Sequence, residues 1–225
     1  MTPNCPARFF FVTGRSNAEQ VELGSAELRV SVPHAALSDA FANVGTTSDE
    51  DLNPPGLGAG FDGAGSSYSA QALAAAGVAP GATLAVDGVG LVWPDMPAGE
   101  PNNVVADGQS FLLRGQGSTV GVLAASTYGA VTDDWVVHYA DGTSQTVRVT
   151  VPDWSSTPPS GSRVVADMPY RNNVETGRTA RRTMVFFLRL PVDPAKQVEA
   201  VTLPAVSEAA VRGVPALHVF ALGIG

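Results

Sequence analysis

The chain has 225 residues, with 13 Lys plus Arg against 21 Asp plus Glu and a formal net charge of -8. That balance excludes nucleic acid as a partner, because binding phosphates needs clustered Lys and Arg. The 24 Gly and 17 Pro, with only 15% charged residues, suit short strands joined by turns better than long helices.

A single cysteine, Cys5, permits neither an internal disulfide nor a metal cluster. No segment approaches the roughly 18 apolar residues of a membrane span. The opening "MTPNCPARFFFVTGR" has a short apolar run and no basic leader, so it is not a recognisable signal peptide. Residues 1–32 read as an N-terminal extension, or as the last strand ("AELRVSVP") of a preceding linker domain. The main domain is then expected over 33–225.

Next comes "SDEDLNPPGLGAGFDGAGSSYS". The glycine run is not a P-loop, which needs Gly-Lys-Ser/Thr at a helix start, and no buried parallel strand precedes it as a dinucleotide fingerprint requires. Asp49, Asp51, Asn53 and Asp62 offer hard oxygen ligands of the kind calcium prefers, so a structural calcium ion is one reading of the loop. The spacing matches no EF-hand, and a solvated acidic turn is the favoured alternative. One short helix is expected near residues 69–76 ("SAQALAAAG"), capped by Ser67 or Ser69 and ended by Gly77.

Strands follow at "ATLAVDGVGLVWP", "QSFLLRG" and "TVGVLAAS". "DDWVVHYADGTSQTVRVTV" carries two alternating runs around Asp141-Gly142, a dipeptide that tolerates the positive φ of a type I′ hairpin turn. "SRVVADMPYR", "RTMVFFLRLPV" and "PALHVFALGIG" complete the set. Turn signals roughly every ten residues predict an all-β fold, an antiparallel β-sandwich or jelly roll; the expected version of it is galactose-binding-like.

No feature argues for catalysis. His34, His138 and His218 lie far apart, no G-x-S-x-G elbow occurs, and the acids cluster in turns, where Asp is common in any β protein. Arg178, Arg181 and Arg182 form the nearest thing to a basic cluster; a solvated strand edge is the favoured reading over an anion site. Trp93 alternates with Val89 and Leu91, which places it toward the core. Asp153 with Trp154, and Tyr170 with Arg171 and Asn172, combine an aromatic face with polar groups, the pattern of a sugar-binding surface. Trp154 and Tyr170 serve equally well as core plugs.

The segments "DAFANVGTTSDEDLNPPGLGAGFDGAGSSYSAQALAAAGVAPG", "LVWPDMPAGEPNNVVADGQ", "VPDWSS", "VVADMPYRN" and "LHVFALGIG" together resemble a β-sandwich accessory module. Such modules are attached to secreted actinobacterial glycoside hydrolases, downstream of immunoglobulin-like (NEW3-type) linker domains. The resemblance runs from Ser38 to the C-terminus. It implies an extracellular, non-catalytic role, with a glycan ligand or a neighbouring glycoside hydrolase domain as partner. A purely structural spacer is the alternative, and a stand-alone hydrolase a weaker one. The resemblance brings no settled ligand residues with it.

Overall fold

The structure, a computed structural model, describes residues 32–225. The strand expected over 26–33 lies outside them save Val32 and Pro33, which belong to no strand, and Cys5 lies outside them too. After a 3-10 turn at Leu37–Ala40 the elements run β1 (Thr46–Thr47), β2 (Ser66–Ser69), α1 (Ala70–Ala75), β3 (Thr83–Val86), β4 (Val89–Val92) and β5 (Val104–Val105). Then come β6 (Ser110–Gln116), β7 (Thr119–Thr127), β8 (Val131–Tyr139), β9 (Ser144–Val151) and β10 (Arg163–Met168). The chain ends with β11 (Asn172–Asn173), β12 (Thr183–Pro191), β13 (Gln197–Thr202) and β14 (Ala216–Ile224).

Two antiparallel sheets make the sandwich expected from the sequence. One has five strands in the order β10-β12-β7-β14-β5, the other four in the order β6-β13-β8-β9. They face each other through β12 and β7 on β9 and through β14 on β6. The four-stranded sheet is wet on its outer side, so β8 alternates: Val131, Trp135, Val137 and Tyr139 are buried and the residues between are more exposed. The five-stranded sheet is covered on both faces, and every residue of β7 is buried. A strand buried on both sides reads as a continuous apolar run, which is what its centre, "VGVLAA", is.

The outer cover of the five-stranded sheet is built from the β3–β4 hairpin and the glycine-rich stretch. A Cβ on Gly121 would come within 2.9 Å of Val89, and one on Gly223 within 2.3 Å of the Gly90 carbonyl oxygen, so these strand glycines let the hairpin lie directly on the sheet. Beside the hairpin is an aromatic cluster. Trp93 stacks on Phe220 at 4.6 Å, and Phe61 packs against Tyr68, Trp154 and His218 at 4.9, 4.8 and 4.0 Å. Trp93, Val89 and Leu91 are all buried, as their alternation predicts.

The helix α1 is capped by the Ser69 hydroxyl, which accepts the Ala72 N–H at 3.0 Å, and Gly77 follows with φ 86°. The hairpin at Asp141-Gly142 forms, but only Gly142 takes a positive φ, 83°. A two-residue type I′ turn needs two such residues. Instead Tyr139 donates to the Thr143 carbonyl across a wider loop, whose Asp141 carboxylate accepts the Thr143 N–H and hydroxyl.

A third sheet, β1-β2-β11, is built from Thr-Thr, Ser-Ser-Tyr-Ser and Asn-Asn, all buried. Such side chains tolerate burial only when hydrogen-bonded. Thr47 Oγ1 meets Ser67 Oγ at 2.7 Å, Asn172 Nδ2 donates to Thr47, and Asn173 Nδ2 donates to Ser66 Oγ. Asn102 continues the layer, accepting the Gly45 N–H and donating to Thr46. Asn103 joins it to His218, whose Nδ1 lies 2.9 Å from Asn103 Oδ1.

Candidate functional site

At the end of the sandwich carrying the glycine-rich loop, four connections surround a cleft of about 470 Å³. They are the loop before β2, the β7–β8 turn, the turn after β9 and the segment around β11; Arg181 and Arg212 reach in from neighbouring loops. Volumes of this order are typical of small-molecule sites.

The floor comes from the aromatic cluster. Trp154 is 2% exposed and presents its ring to the Arg171 guanidinium, which lies 5.3 Å above the ring centroid. Asp153 braces two walls at once. One oxygen accepts the Gly129 N–H at 2.9 Å, and the other accepts the Ser155 N–H and the Ser155 and Ser156 hydroxyls. That holds the β7–β8 turn, where Tyr128 adopts φ 56° and stands 37% exposed at the rim. Burial and the negative charge of Asp62 push the Tyr128 phenol above its usual range.

Asp62 caps the opposite wall. Its Oδ1 accepts the Ala64 and Ser66 N–H groups, and its Oδ2 lies 3.6 Å from Arg171 Nη1. Burial presses the pKa of Arg171 below the ordinary guanidinium value; Asp62 opposes that shift and Arg181 adds to it. The Arg171 side chain retains 20% exposure, while its Nε is buried without an acceptor. Three exposed apolar residues, Val174, Val211 and Val214, sit beside the lining residues in the same loops.

The five expected glycan-face residues therefore divide. Asp153, Trp154 and Arg171 line the cleft, whereas Tyr170 and Asn172 turn the other way. The cause is strand periodicity: neighbours in extended chain point to opposite faces. Tyr170 donates its hydroxyl to Asp49 Oδ2 at 2.7 Å, and Asn172 is fully buried against Thr47. Sequence reading missed Tyr128, Glu175 and Arg212 of the lining and placed Arg181 on a solvated edge. Arg178 and Arg182 do form surface pairs, with Asp49 and Asp167.

The four candidate calcium ligands divide as well. Asp49 accepts from Ser69 at 2.5 Å and from Tyr170, and pairs with Arg178 at 2.8 Å. Burial raises its pKa, but the hydrogen bonds from Ser69, Tyr170 and Asn172 and the Arg178 charge outweigh that and hold it below the usual carboxylate range. Asp51 Oδ1 accepts the Asn53 N–H, and Asp62 belongs to the cleft. Oxygens already facing donors and a guanidinium do not fit a calcium ion, and among the described residues no three His, Cys, Asp or Glu side chains group as metal ligands.

A second depression, of about 660 Å³, runs between the edges of β9 and β10. Its one acid, Asp87, is 3.5 Å from Arg163 and 3.8 Å from Arg189, so a single carboxylate serves two guanidinium groups. Compared with known proteins, the chain matches no family model, and no curated protein is significantly similar to it.

Proposed function

We propose that this chain is a non-catalytic glycan-binding accessory module of an extracellular carbohydrate-active enzyme, with its ligand seated in the cleft beneath Tyr128. The observation that carries this reading is the combination in one cleft of an exposed aromatic ring with planar and hydroxylic hydrogen-bonding groups. A sugar presents one apolar ring face and a rim of hydroxyls. Tyr128 supplies a surface for the first; Arg171, Arg181, Glu175 and Thr176 supply partners for the second. The attachment to a glycoside hydrolase and the extracellular setting rest on the resemblance from Ser38 onward.

Hydrolysis is the less favoured use of the same cleft. Glycoside hydrolysis needs a carboxyl group able to give a proton and a second free to attack or to activate water. Asp153 has both oxygens committed to four donors, and Asp62 has one oxygen committed to two backbone N–H groups. Such carboxylates are braces, which leaves Glu175 as the one uncommitted carboxyl among the described lining residues, where the reaction needs two.

The test is a glycan array with the purified chain, followed by calorimetry on Tyr128→Asn. Asparagine tolerates the left-handed backbone at this position, so the variant removes the ring without straining the turn. Binding to a defined polysaccharide, weakened by about tenfold or more in the folded variant, supports the reading. A chain that binds no glycan is a spacer or docking domain instead.

A further inference from the structure

We infer that the sugar taken by this cleft carries a carboxylate, a uronic-acid unit received by Arg171, Arg181 and Arg212. The inference rests on the glycan-binding reading and narrows its substrate class.

In a chain of net charge -8, three guanidinium groups converge on one cleft. Among the described residues Arg114, Arg148, Arg178 and Arg182 each pair closely with an acid of their own, and Arg163 and Arg189 share Asp87 at 3.5 and 3.8 Å. Arg181 and Arg212 enter no such pair. Arg171 has only the 3.6 Å approach to Asp62, beyond hydrogen-bond reach, and its buried Nε faces no acceptor.

The cleft also holds three acids, Asp62, Asp153 and Glu175, so its formal charge balances, but two of them have acceptor oxygens already taken by protein donors. Asp153 spends its acceptor capacity on the two turns, and Asp62 Oδ1 on the Ala64 and Ser66 amides. Glu175 is an exposed acid on the rim, where solvent screens it as it does Arg181 and Arg212. What remains toward the ligand is a set of planar donor forks, the geometry that suits a carboxylate.

Two features favour a sugar acid over a free inorganic anion. The cleft is far roomier than one small anion needs, and Tyr128 on its rim offers a ring face that such an anion would leave unused. One of the three forks is also held in place: Arg171 stacks on Trp154. A fork fixed before binding loses less freedom on binding.

The experiment compares the whole chain's affinity for oligogalacturonides with that for the same oligomers after carboxyl reduction, at low and high salt. The expected result is binding of the acid form about tenfold or more tighter than the neutral form, weakened by salt, and lost in Arg181→Ala/Arg212→Ala with its thermal transition unchanged. Glu175→Gln is expected to tighten it. Equal binding of both forms, reduced by Tyr128→Asn, overturns the uronate inference and leaves the glycan reading standing. Glycan-array binding confined to neutral sugars overturns the inference alone; binding to no glycan at all overturns both. Equal or tighter binding of a sulfated glycan overturns the carboxylate in favour of a general polyanion site. Uronate binding unaffected by the double arginine variant overturns the assignment of these residues.

Discussion

Gly63 and the Val211–Arg212 peptide are in backbone contact: a Cβ on Gly63 would stand 2.5 Å from the Arg212 nitrogen and 2.5 Å from the Val211 carbonyl carbon. Gly63 also has φ 71°. Two separate physical demands thus meet at one residue, a left-handed backbone and room for a neighbouring chain. Gly177 has the first alone, with φ 74° and nothing within 4 Å of its Cβ position. Gly177→Ala is expected to cost about 1 kcal/mol, the price of φ > 0 for alanine. Gly63→Ala should cost at least about 3 kcal/mol, lowering the melting temperature by roughly 6–12 °C in a chain of this size. Thermal melts of the two variants side by side test this, and equal shifts would refute the close approach.

Trp154 and Tyr128 separate stability from binding. Trp154 is buried among Phe61, Tyr68 and Arg171, so Trp154→Ala is expected to destabilise the domain by about 3–5 kcal/mol. Tyr128→Asn, at the exposed rim, should change stability by no more than about 1 kcal/mol. Urea melts decide between them. A Trp154→Ala variant as stable as the parent would mean that its ring is not part of the core.

The sandwich was legible where side-chain patterns follow directly from burial. β8 alternates because one face is wet, and the centre of β7 is continuously apolar because both faces are covered. The third sheet was not legible, because Thr-Thr, Ser-Ser-Tyr-Ser and Asn-Asn look like loop sequence until their partners are known. A signal was present in the paired triplets Asn102-Asn103-Val104 and Asn172-Asn173-Val174. Adjacent amides, each both donor and acceptor, suit places where irregular chain crosses an interior. The site was harder to read. Asp153, Trp154 and Arg171 were found by chemistry, but alternation along the strand sent Tyr170 and Asn172 to the opposite side. Arg212 lines the cleft beside the Gly63 contact, a long-range approach that no local pattern in "AAVRGVP" reveals.

The acidic loop makes its own prediction. Asp49 is surrounded by donors from Ser69 and Tyr170 and by the Arg178 guanidinium, an arrangement that repels a cation. Addition of millimolar calcium, or of a chelator, should therefore move the melting temperature by less than about 1 °C; a site of useful affinity would stabilise by mass action. Asp49→Asn is expected to cost about 1–3 kcal/mol, because it leaves Arg178 without its partner and weakens two hydrogen bonds. A calcium-dependent rise of several degrees in the parent, absent from Asp49→Asn, would reinstate the metal site.

His218 makes the fold sensitive to mild acid. It is fully buried between Phe61 and the Asn103 amide, and burial lowers its pKa from 6.5 to about 3. A histidine with a depressed folded pKa is neutral in the native state while the unfolded chain takes up a proton below pH 6.5. Its contribution to stability is thus fully present above that value and is lost as pH falls toward 3. Between about pH 7.5 and 5 the loss should be about 2 kcal/mol, from 1.36 kcal/mol per pH unit below the unfolded pKa. That window lies above the carboxylate range, so acids such as Asp49 contribute little within it. His218→Gln keeps a donor for Asn103 and cannot titrate. Denaturant melts at both pH values should show the variant less stable at neutral pH but nearly indifferent to the change. An equal pH dependence in parent and variant would place the acid sensitivity elsewhere.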